Sequence, residues 1–119
     1  MSDLDAAELP TDCAFDLLGD ATRRRTLSVL RGADGAMALD DLAAAVVADD
    51  RDVTPAEVSR NRCERVAASL HHSHLPKLDD AGVVAYDPAG NRVEETPAGD
   101  DLDPFLDAVE TGVERVRRE

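Results

Sequence analysis

Residues 75–96 decide the fold, and they read LPKLDDAGVVAYDPAGNRVEET. Leu75 and Leu78 continue an apolar helical pattern from upstream, and Gly82 is the type of residue that ends a helix. The short β-prone runs 83–86 and 92–96 then flank a turn-rich stretch, which predicts a β-hairpin. A helix that leads directly into a hairpin indicates an α+β domain that is mainly α-helical.

Apolar residues at helical spacing predict three more helices upstream of this stretch. A brief extended stretch is expected around Met37 and Leu39, before the third of these helices. A polar loop is expected over residues 49–52, after it. The predicted helices span residues 12–18, 21–31 and 40–48.

The fourth helix has a strong start signal at Thr54. Thr54 and Glu57 form the pattern of a capping box, and Pro55 suits the first helical position. Helical character is predicted to continue to the terminating glycine, with a break near Asn61. Because proline lacks a backbone N–H, Pro76 is expected to kink this helix or loosen one of its turns.

A C-terminal helix is predicted from Asp103 to about Arg118. Its apolar residues follow a 4-3-4-3 spacing and fall within about 100° of the helical wheel. A stripe that narrow suits a helix–helix seam better than a broad core face. We therefore predict a homodimer whose seam is formed by Leu102, Phe105, Leu106, Val109, Val113 and Val116.

The composition is strongly acidic, with 26 acidic and 13 basic residues and a net charge of −13 in 119 residues. Lys77 is the only lysine, and aromatic residues are few. Such a surface strains a small fold in dilute buffer but suits concentrated salt, where the Debye length is roughly 3 Å at 1 M. The composition resembles that of proteins from salt-in halophiles, most often haloarchaea. With no apolar run of membrane-spanning length and no signal-peptide pattern, a cytoplasmic protein with no membrane partner is expected.

Two basic islands interrupt this acidic chain. Residues 20–32 carry +3, from four arginines against one aspartate, and residues 54–78 carry +2, from three arginines and one lysine against two glutamates. The second island also holds all three histidines. It coincides with the predicted fourth helix, so the net charge does not exclude nucleic acid as a partner. One of the arginines Arg23, Arg24 and Arg25 is a candidate for a phosphate contact.

Three motifs carry a resemblance to a known family. Residues 17–27, LLGDATRRRTL, resemble the helix-opening signature of ArsR-like winged-helix regulators, and residues 75–84, LPKLDDAGVV, resemble the end of their recognition helix and the start of the wing. The run HHSHLPKL at 71–78 is similar to one found in a haloarchaeal group of ArsR-like proteins. The resemblance implies a winged helix-turn-helix fold and a homodimeric, sequence-specific transcriptional regulator.

This resemblance also suggests a domain organisation. An acidic N-terminal tail covers residues 1–11, the winged helix-turn-helix domain covers 12–99, and the C-terminal dimerisation helix covers 100–119. The cysteine pair that metal sensors of the family carry near the recognition helix is missing. Metal sensing is therefore not implied by the resemblance.

A helical wheel of residues 62–79 separates a polar from an apolar face. The polar face suits contact with bases and phosphates in the major groove of double-stranded DNA, although a plain solvated face has the same pattern. Lys77 and, in the hairpin, Arg92 are further candidates. The polar face consists of Arg62, Arg65, Ser69, His72 and Ser73, together with Pro76.

The apolar face contains Cys63, His71 and His74. These three residues could hold Zn²⁺ only with a further ligand, and histidines with hydrogen-bonded rings in a partly buried setting are the favoured interpretation. No metal and no other cofactor is therefore predicted. A metal or redox sensor built on these residues is the least favoured function.

An enzyme is not expected, because the chain has no Gly-rich phosphate loop, no GxSxG, no HExxH and no Ser/His/Asp constellation. The predicted function is that of a homodimeric DNA-binding transcriptional regulator with the 62–76 face in the major groove. The alternative is a winged-helix module that binds other proteins and does not contact DNA.

Overall fold

The computed structural model describes residues 11–108 of the chain. Its longer helices are α1 (Thr11–Leu18), α2 (Ala21–Arg31), α3 (Leu39–Arg51), α4 (Arg60–Ser69) and α5 (Leu75–Asp80). A π-helical turn, Leu70–His74, joins α4 to α5 without a break. Single 3₁₀ segments lie at Pro55–Glu57 and Pro97–Leu102, and residues 103–108 are helical.

A small antiparallel sheet covers one end of the helices. Its strands are β1 (Met37–Ala38), β2 (Val84–Asp87) and β3 (Arg92–Glu95), in the order β1-β3-β2. The buried Val93 lies opposite Met37 on one side and Tyr86 on the other. The predicted hairpin and the mainly helical α+β class are thus confirmed.

The core is built almost entirely from leucine, valine and alanine, which is how the chain folds with so few aromatic residues. Every helix from α1 to α5 except α4 contributes fully buried side chains, and the sheet adds valines from its inner face. The largest of these side chains are Leu17, Leu18, Leu27, Leu42, Leu70, Leu75, Leu78, Leu102, Leu106, Val83, Val84 and Val93.

Helix α3 is longer than predicted, because residues 49–51 continue it instead of forming a loop. Polar side chains on the outer face of a helix look like loop residues in the sequence. Asp50 forms an ion pair with Arg25 at 2.8 Å. The helix ends at Asp52, which adopts a left-handed conformation (φ 59°), and the N–H of Val53 donates to Ala48 O.

The capping box at Thr54 is present, but it starts only one 3₁₀ turn. The Glu57 carboxylate accepts from the backbone N–H and the hydroxyl of Thr54, and Val58 then returns to an extended conformation. Ser59 supplies a second N-cap, its Oγ accepting from Arg62 N. The break therefore falls at residues 58–59 rather than at Asn61, because a second capping residue is available there.

The residues predicted to form the dimer seam lie in different surroundings in the structure. Leu102 and Leu106 are fully buried in the core of their own chain, so these two side chains are not available for the predicted seam. Phe105 is partly buried and meets the ring of Phe15 edge-on, with centroids 5.4 Å apart. The remaining seam residues, Val109, Val113 and Val116, lie outside the described residues. None of the helices in residues 11–108 has the length and apolar character needed to cross a membrane.

Candidate nucleic-acid interface

The outer surface of α4 and the π turn is a continuous polar face. Arg65, Ser69, His72 and Ser73 are exposed and Arg62 is half-buried, whereas Leu70 and Leu75 are fully buried on the opposite side. The wheel of this segment thus separated exposed from buried positions correctly, apart from His71. We call these five outward-facing residues, Arg62, Arg65, Ser69, His72 and Ser73, the α4 face.

His71 lies on the surface, within the π turn, and not among the apolar residues. Pro76 has no N–H to donate to the carbonyl four residues back, and the N–H of Leu75 donates to Leu70 O, five residues back. A π turn rotates the following residues relative to a regular helix. The exposed His71 ring forms a 2.7 Å hydrogen bond through Nδ1 with the Tyr86 hydroxyl, which ties the end of the α4 face to β2.

Cys63, His71 and His74 are not brought together. Cys63 lines a surface cavity with Asp40, Arg60 and Glu64, and His71 faces β2. His74 points to the start of α2. Within residues 11–108 no three His, Cys, Asp or Glu side chains are grouped so as to hold a metal ion.

His74 is a buried polar contact between α2 and the π turn, with 9% of its surface exposed. Its Nδ1 lies 3.4 Å from Arg23 Nη1, and its Nε2 lies 4.0 Å from an oxygen of Asp20. Burial lowers the pKa of His74, as do the charges of Arg23 and Lys77, against the opposing charge of Asp20. Because arginine can only donate, the imidazole is neutral, with Nδ1 as acceptor and its proton on Nε2 toward Asp20.

Asp20 organises this contact from the α2 side, in a role that the sequence analysis did not identify. Its Oδ1 accepts from the N–H groups of Thr22 at 2.7 Å and Arg23 at 3.2 Å, so it is the N-cap of α2. Burial raises the pKa of Asp20, but these hydrogen bonds and the positive charge of Arg23 outweigh it and lower the pKa overall. Asp is a favoured N-cap residue, so its position directly before the predicted helix 21–31 would have predicted this role.

The first basic island, residues 20–32, serves the fold. Arg23 donates to Leu17 O at 2.7 Å and to Asp16 O at 2.9 Å, and Arg24 donates to Leu18 O at 2.7 Å. These carbonyls belong to the last turn of α1, where a helix leaves carbonyls without i+4 partners, and Asp16 O also accepts from Gly19 N at 3.3 Å. Arg25 pairs with Asp50, so each of these three arginines has a partner within the described part of the fold.

Lys77 also differs from its predicted role. Its ammonium lies 2.8 Å from Asp16 Oδ2, and this hydrogen bond, with the charge of the ammonium, lowers the pKa of Asp16. A lysine already paired with a carboxylate contributes little positive potential, so we do not include Lys77 in the interface. Arg92 is exposed on β3 directly opposite Asp87, and its guanidinium group donates one long hydrogen bond, 3.4 Å to Ala36 O.

The arginines of the α4 face are arranged differently. Among residues 11–108, neither Arg62 nor Arg65 has a carboxylate within ion-pair distance, and the guanidinium groups make no hydrogen bond within that range. Arg65 lines a shallow cavity with Asn61, Glu64 and Ala68. Two guanidinium groups without partners on one exposed helix face are suited to bind an anionic ligand.

Comparison with protein families gives one match. Residues 15–94 match the family described as Domain of unknown function (DUF7344). The chain belongs to the DUF7344 family. The matched segment runs from α1 into β3, so it contains the α4 face, the π turn and, except for Glu95, the sheet of this DUF7344 domain. No curated protein and no solved structure matches the chain.

We predict that His74 makes the stability of the DUF7344 domain depend on pH. Because its folded-state pKa is lowered, the unfolded chain binds more protons below about pH 6.5, and the free energy of unfolding falls as the pH is lowered from there to the folded-state pKa. The loss is at most about 1.4 kcal/mol per pH unit. Urea unfolding of wild type and His74→Gln between pH 7 and pH 5 measures it.

His74→Gln is expected to have the shallower slope, with His72→Gln as the matched control for losing an exposed imidazole. Glu95 acts in the opposite direction, since burial and the charges of Asp103 and Asp100 raise its pKa. Because the folded-state pKa of Glu95 is raised, the free energy of unfolding falls as the pH rises above about 4.5. Both variants are therefore compared in a Glu95→Gln background. Equal slopes for wild type and His74→Gln in that background would contradict the prediction.

Proposed function

We propose that this DUF7344 chain is a transcriptional regulator that binds double-stranded DNA in a sequence-specific manner, as a homodimer, with the α4 face in the major groove. The observation that carries the proposal is the α4 face itself, a helical surface with two serines, a histidine and two arginines that are unpaired within residues 11–108. Arginine, serine and histidine are side chains that contact base edges and phosphates in such interfaces. We propose no catalytic role and no cofactor.

The arrangement around α4 supports a winged helix-turn-helix interpretation. Helix α3 ends at Arg51 and α4 begins at Arg60, so that two packed helices are joined by a short connection. The β2–β3 hairpin follows α5, and the sheet order β1-β3-β2 places β1, from the segment before α3, against β3. In helix-turn-helix proteins the second helix enters the major groove. The motifs at 17–27 and 71–84 that resemble ArsR-like regulators point the same way.

The net charge of −13 bears on where such a protein works. We propose a cytoplasmic regulator of a halophilic archaeon, because a carboxylate-rich surface suits concentrated salt. Six phosphate contacts would lose about six decades of affinity between roughly 0.2 M and 3 M salt. Base-edge contacts and the two-fold avidity of a dimer would therefore carry the binding.

Selection of duplexes from a randomised pool by the full-length chain in about 1 M KCl tests the proposal directly. We expect enrichment of one motif with two-fold symmetry and half-sites about one helical turn apart, roughly 10 bp. A chain that enriches no motif at any salt concentration at which it is folded would contradict DNA binding. It would favour the alternative of a protein-binding module.

The homodimer is supported by an exposed aromatic contact. Phe15 on α1 is 53% exposed and packs edge-on against Phe105, which precedes the apolar positions 109, 113 and 116. Contact with a second copy would cover these side chains. Because Leu102 and Leu106 belong to the core, the proposed seam consists of Phe15, Phe105 and the three valines.

We predict that Val109→Asp converts the dimer to a monomer. A charged carboxylate in the middle of an apolar seam loses its hydration without gaining a partner, which is strongly unfavourable. Light scattering coupled to size-exclusion chromatography gives the mass of each variant. Asp107→Asn, at an exposed position two residues earlier, is the control and keeps the dimer mass. An unchanged mass for Val109→Asp would contradict the seam.

A further inference from the structure

The junction between α3 and α4 forms a surface cavity of about 330 Å³ with two arginines in its wall. Arg51 comes from the last turn of α3, and Arg62 comes from the first turn of α4. Ser59, the N-cap of α4, also lines the cavity, and the remaining lining residues are Val53, Glu57 and Val58.

Neither guanidinium group in this cavity has a carboxylate partner in the described part of the chain. The ion pairs among residues 11–108 involve neither Arg51 nor Arg62, and no hydrogen bond from their guanidinium groups is made within that part of the chain. The neighbouring Asp50 is already paired with Arg25. Two positive charges directed to one cavity repel each other unless an anion lies between them.

The carboxylate in the cavity wall is already engaged. Glu57 accepts from the N–H of Thr54 at 2.9 Å and from its hydroxyl at 2.8 Å, both through Oε2. These hydrogen bonds lower the pKa of Glu57, so it is ionised and contributes one negative charge against the two arginines. The cavity therefore keeps a net positive charge.

Ser59 adds a hydroxyl donor to this site. Its Oγ accepts from the backbone N–H of Arg62, which uses a lone pair and leaves the hydroxyl hydrogen available. Two planar guanidinium groups and one hydroxyl match the several acceptor oxygens of a tetrahedral phosphate group.

We propose that this cavity is a phosphate-binding site, formed by Arg51, Ser59 and Arg62, which takes a phosphodiester of the DNA backbone beside the groove occupied by the α4 face. The proposal rests on the proposed function for the source of the phosphate, whereas the anion site itself follows from the cavity. Arg51 is the new element, because it lies on α3 and outside the basic island that the sequence analysis associated with DNA. A phosphate contact of this kind positions the protein on the duplex and carries no sequence information.

The decisive experiment measures the salt dependence of binding to the selected duplex by fluorescence anisotropy. Arg51→Gln is expected to reduce the slope of log K against log [KCl] by about 1, without changing the preferred motif. Arg51→Lys keeps the charge and is expected to keep the slope. Lys77→Gln, which removes a positive charge already paired with Asp16, is the control and leaves the slope unchanged.

A second measurement separates the two possible failures. In ¹H–¹⁵N NMR spectra of the full-length chain, inorganic phosphate added at constant ionic strength is expected to shift the amide signals of Ser59 and Arg62 in wild type but not in Arg51→Gln.

If wild type binds a duplex and Arg51→Gln keeps both the affinity and the salt slope of wild type, the phosphate contact is overturned and the proposed function stands. If wild type binds no duplex, the proposed function fails and the titration decides the cavity alone. Shifts that depend on Arg51 then support an anion site for free phosphate, and their absence overturns it.

Discussion

Replacing Arg62 and Arg65 together by alanine is expected to lower the affinity for the selected duplex by about a hundredfold or more, since a good arginine contact to a base contributes roughly 1–3 kcal/mol. The two guanidinium groups have no partner among the described residues, so their removal costs the folded chain little. Circular dichroism and urea unfolding are expected to show a domain as stable as wild type. The loss would therefore report on the interface itself.

The single variants distinguish what each arginine contacts. A variant that loses a base contact is expected to bind the selected and a scrambled duplex with more similar affinities, whereas a variant that loses a phosphate contact weakens both and lowers the salt slope. Lys77→Ala is the matched control, because its ammonium is held by Asp16. An Arg62→Ala/Arg65→Ala double variant that binds as tightly as wild type would contradict the placement of the α4 face in the groove.

Arg23→Ala is expected to destabilise the domain by roughly 2–3 kcal/mol, because hydrogen bonds from a charged donor are lost and their acceptors are left in a partly buried position. Arg23 donates to two carbonyls at the end of α1 and approaches the buried His74 ring. It therefore connects α1, α2 and the π turn through one side chain. Arg23→Lys is expected to lie between wild type and alanine, since an ammonium group lacks the planar fork of the guanidinium.

The neighbouring arginine provides the control for this prediction. Arg25 makes an ion pair with Asp50 in which both side chains are substantially exposed, and pairs of that kind contribute about 1 kcal/mol or less. Guanidinium chloride unfolding of Arg23→Ala and Arg25→Ala at one pH therefore compares a structural with a surface arginine. Equal destabilisation by the two variants would show that Arg23 has no such role. A loss of DNA affinity in Arg23→Ala without any loss of stability would instead indicate a phosphate contact.

The local signals in the sequence predicted the elements well. The hairpin, the helix ends at glycine and the loosened turn at Pro76 each depend on residues close together in the chain, because proline and glycine change the backbone where they stand. The polar face of α4 was also predictable, since helical periodicity separates exposed from buried residues. The exception was His71, which lies on the surface and contacts Tyr86 of β2.

The partners of the charged residues were not predictable in this way. Lys77 and Arg23 have the same local appearance as Arg62 and Arg65, a positive charge on a helix within a basic island. The difference arises because the fold places α1 beside α2 and α5. This brings the Asp16 carboxylate to Lys77 and the carbonyls of the last turn of α1 to Arg23. Likewise, Leu102 and Leu106 fit a dimer seam by spacing, and only the fold brings them into the core.

The sequence by itself determined where the helices and the hairpin lie, and which side of α4 faces outward, because these depend on interactions between near neighbours. The tertiary structure alone decided which positive charges remain free to bind an anion. A charge is neutralised by whatever carboxylate or carbonyl the fold brings close to it, and that group lies 61 residues away in Lys77–Asp16 and 72 residues away in Arg31–Asp103. In the described part of this DUF7344 domain, the guanidinium groups of Arg51, Arg62 and Arg65 have no carboxylate or carbonyl partner.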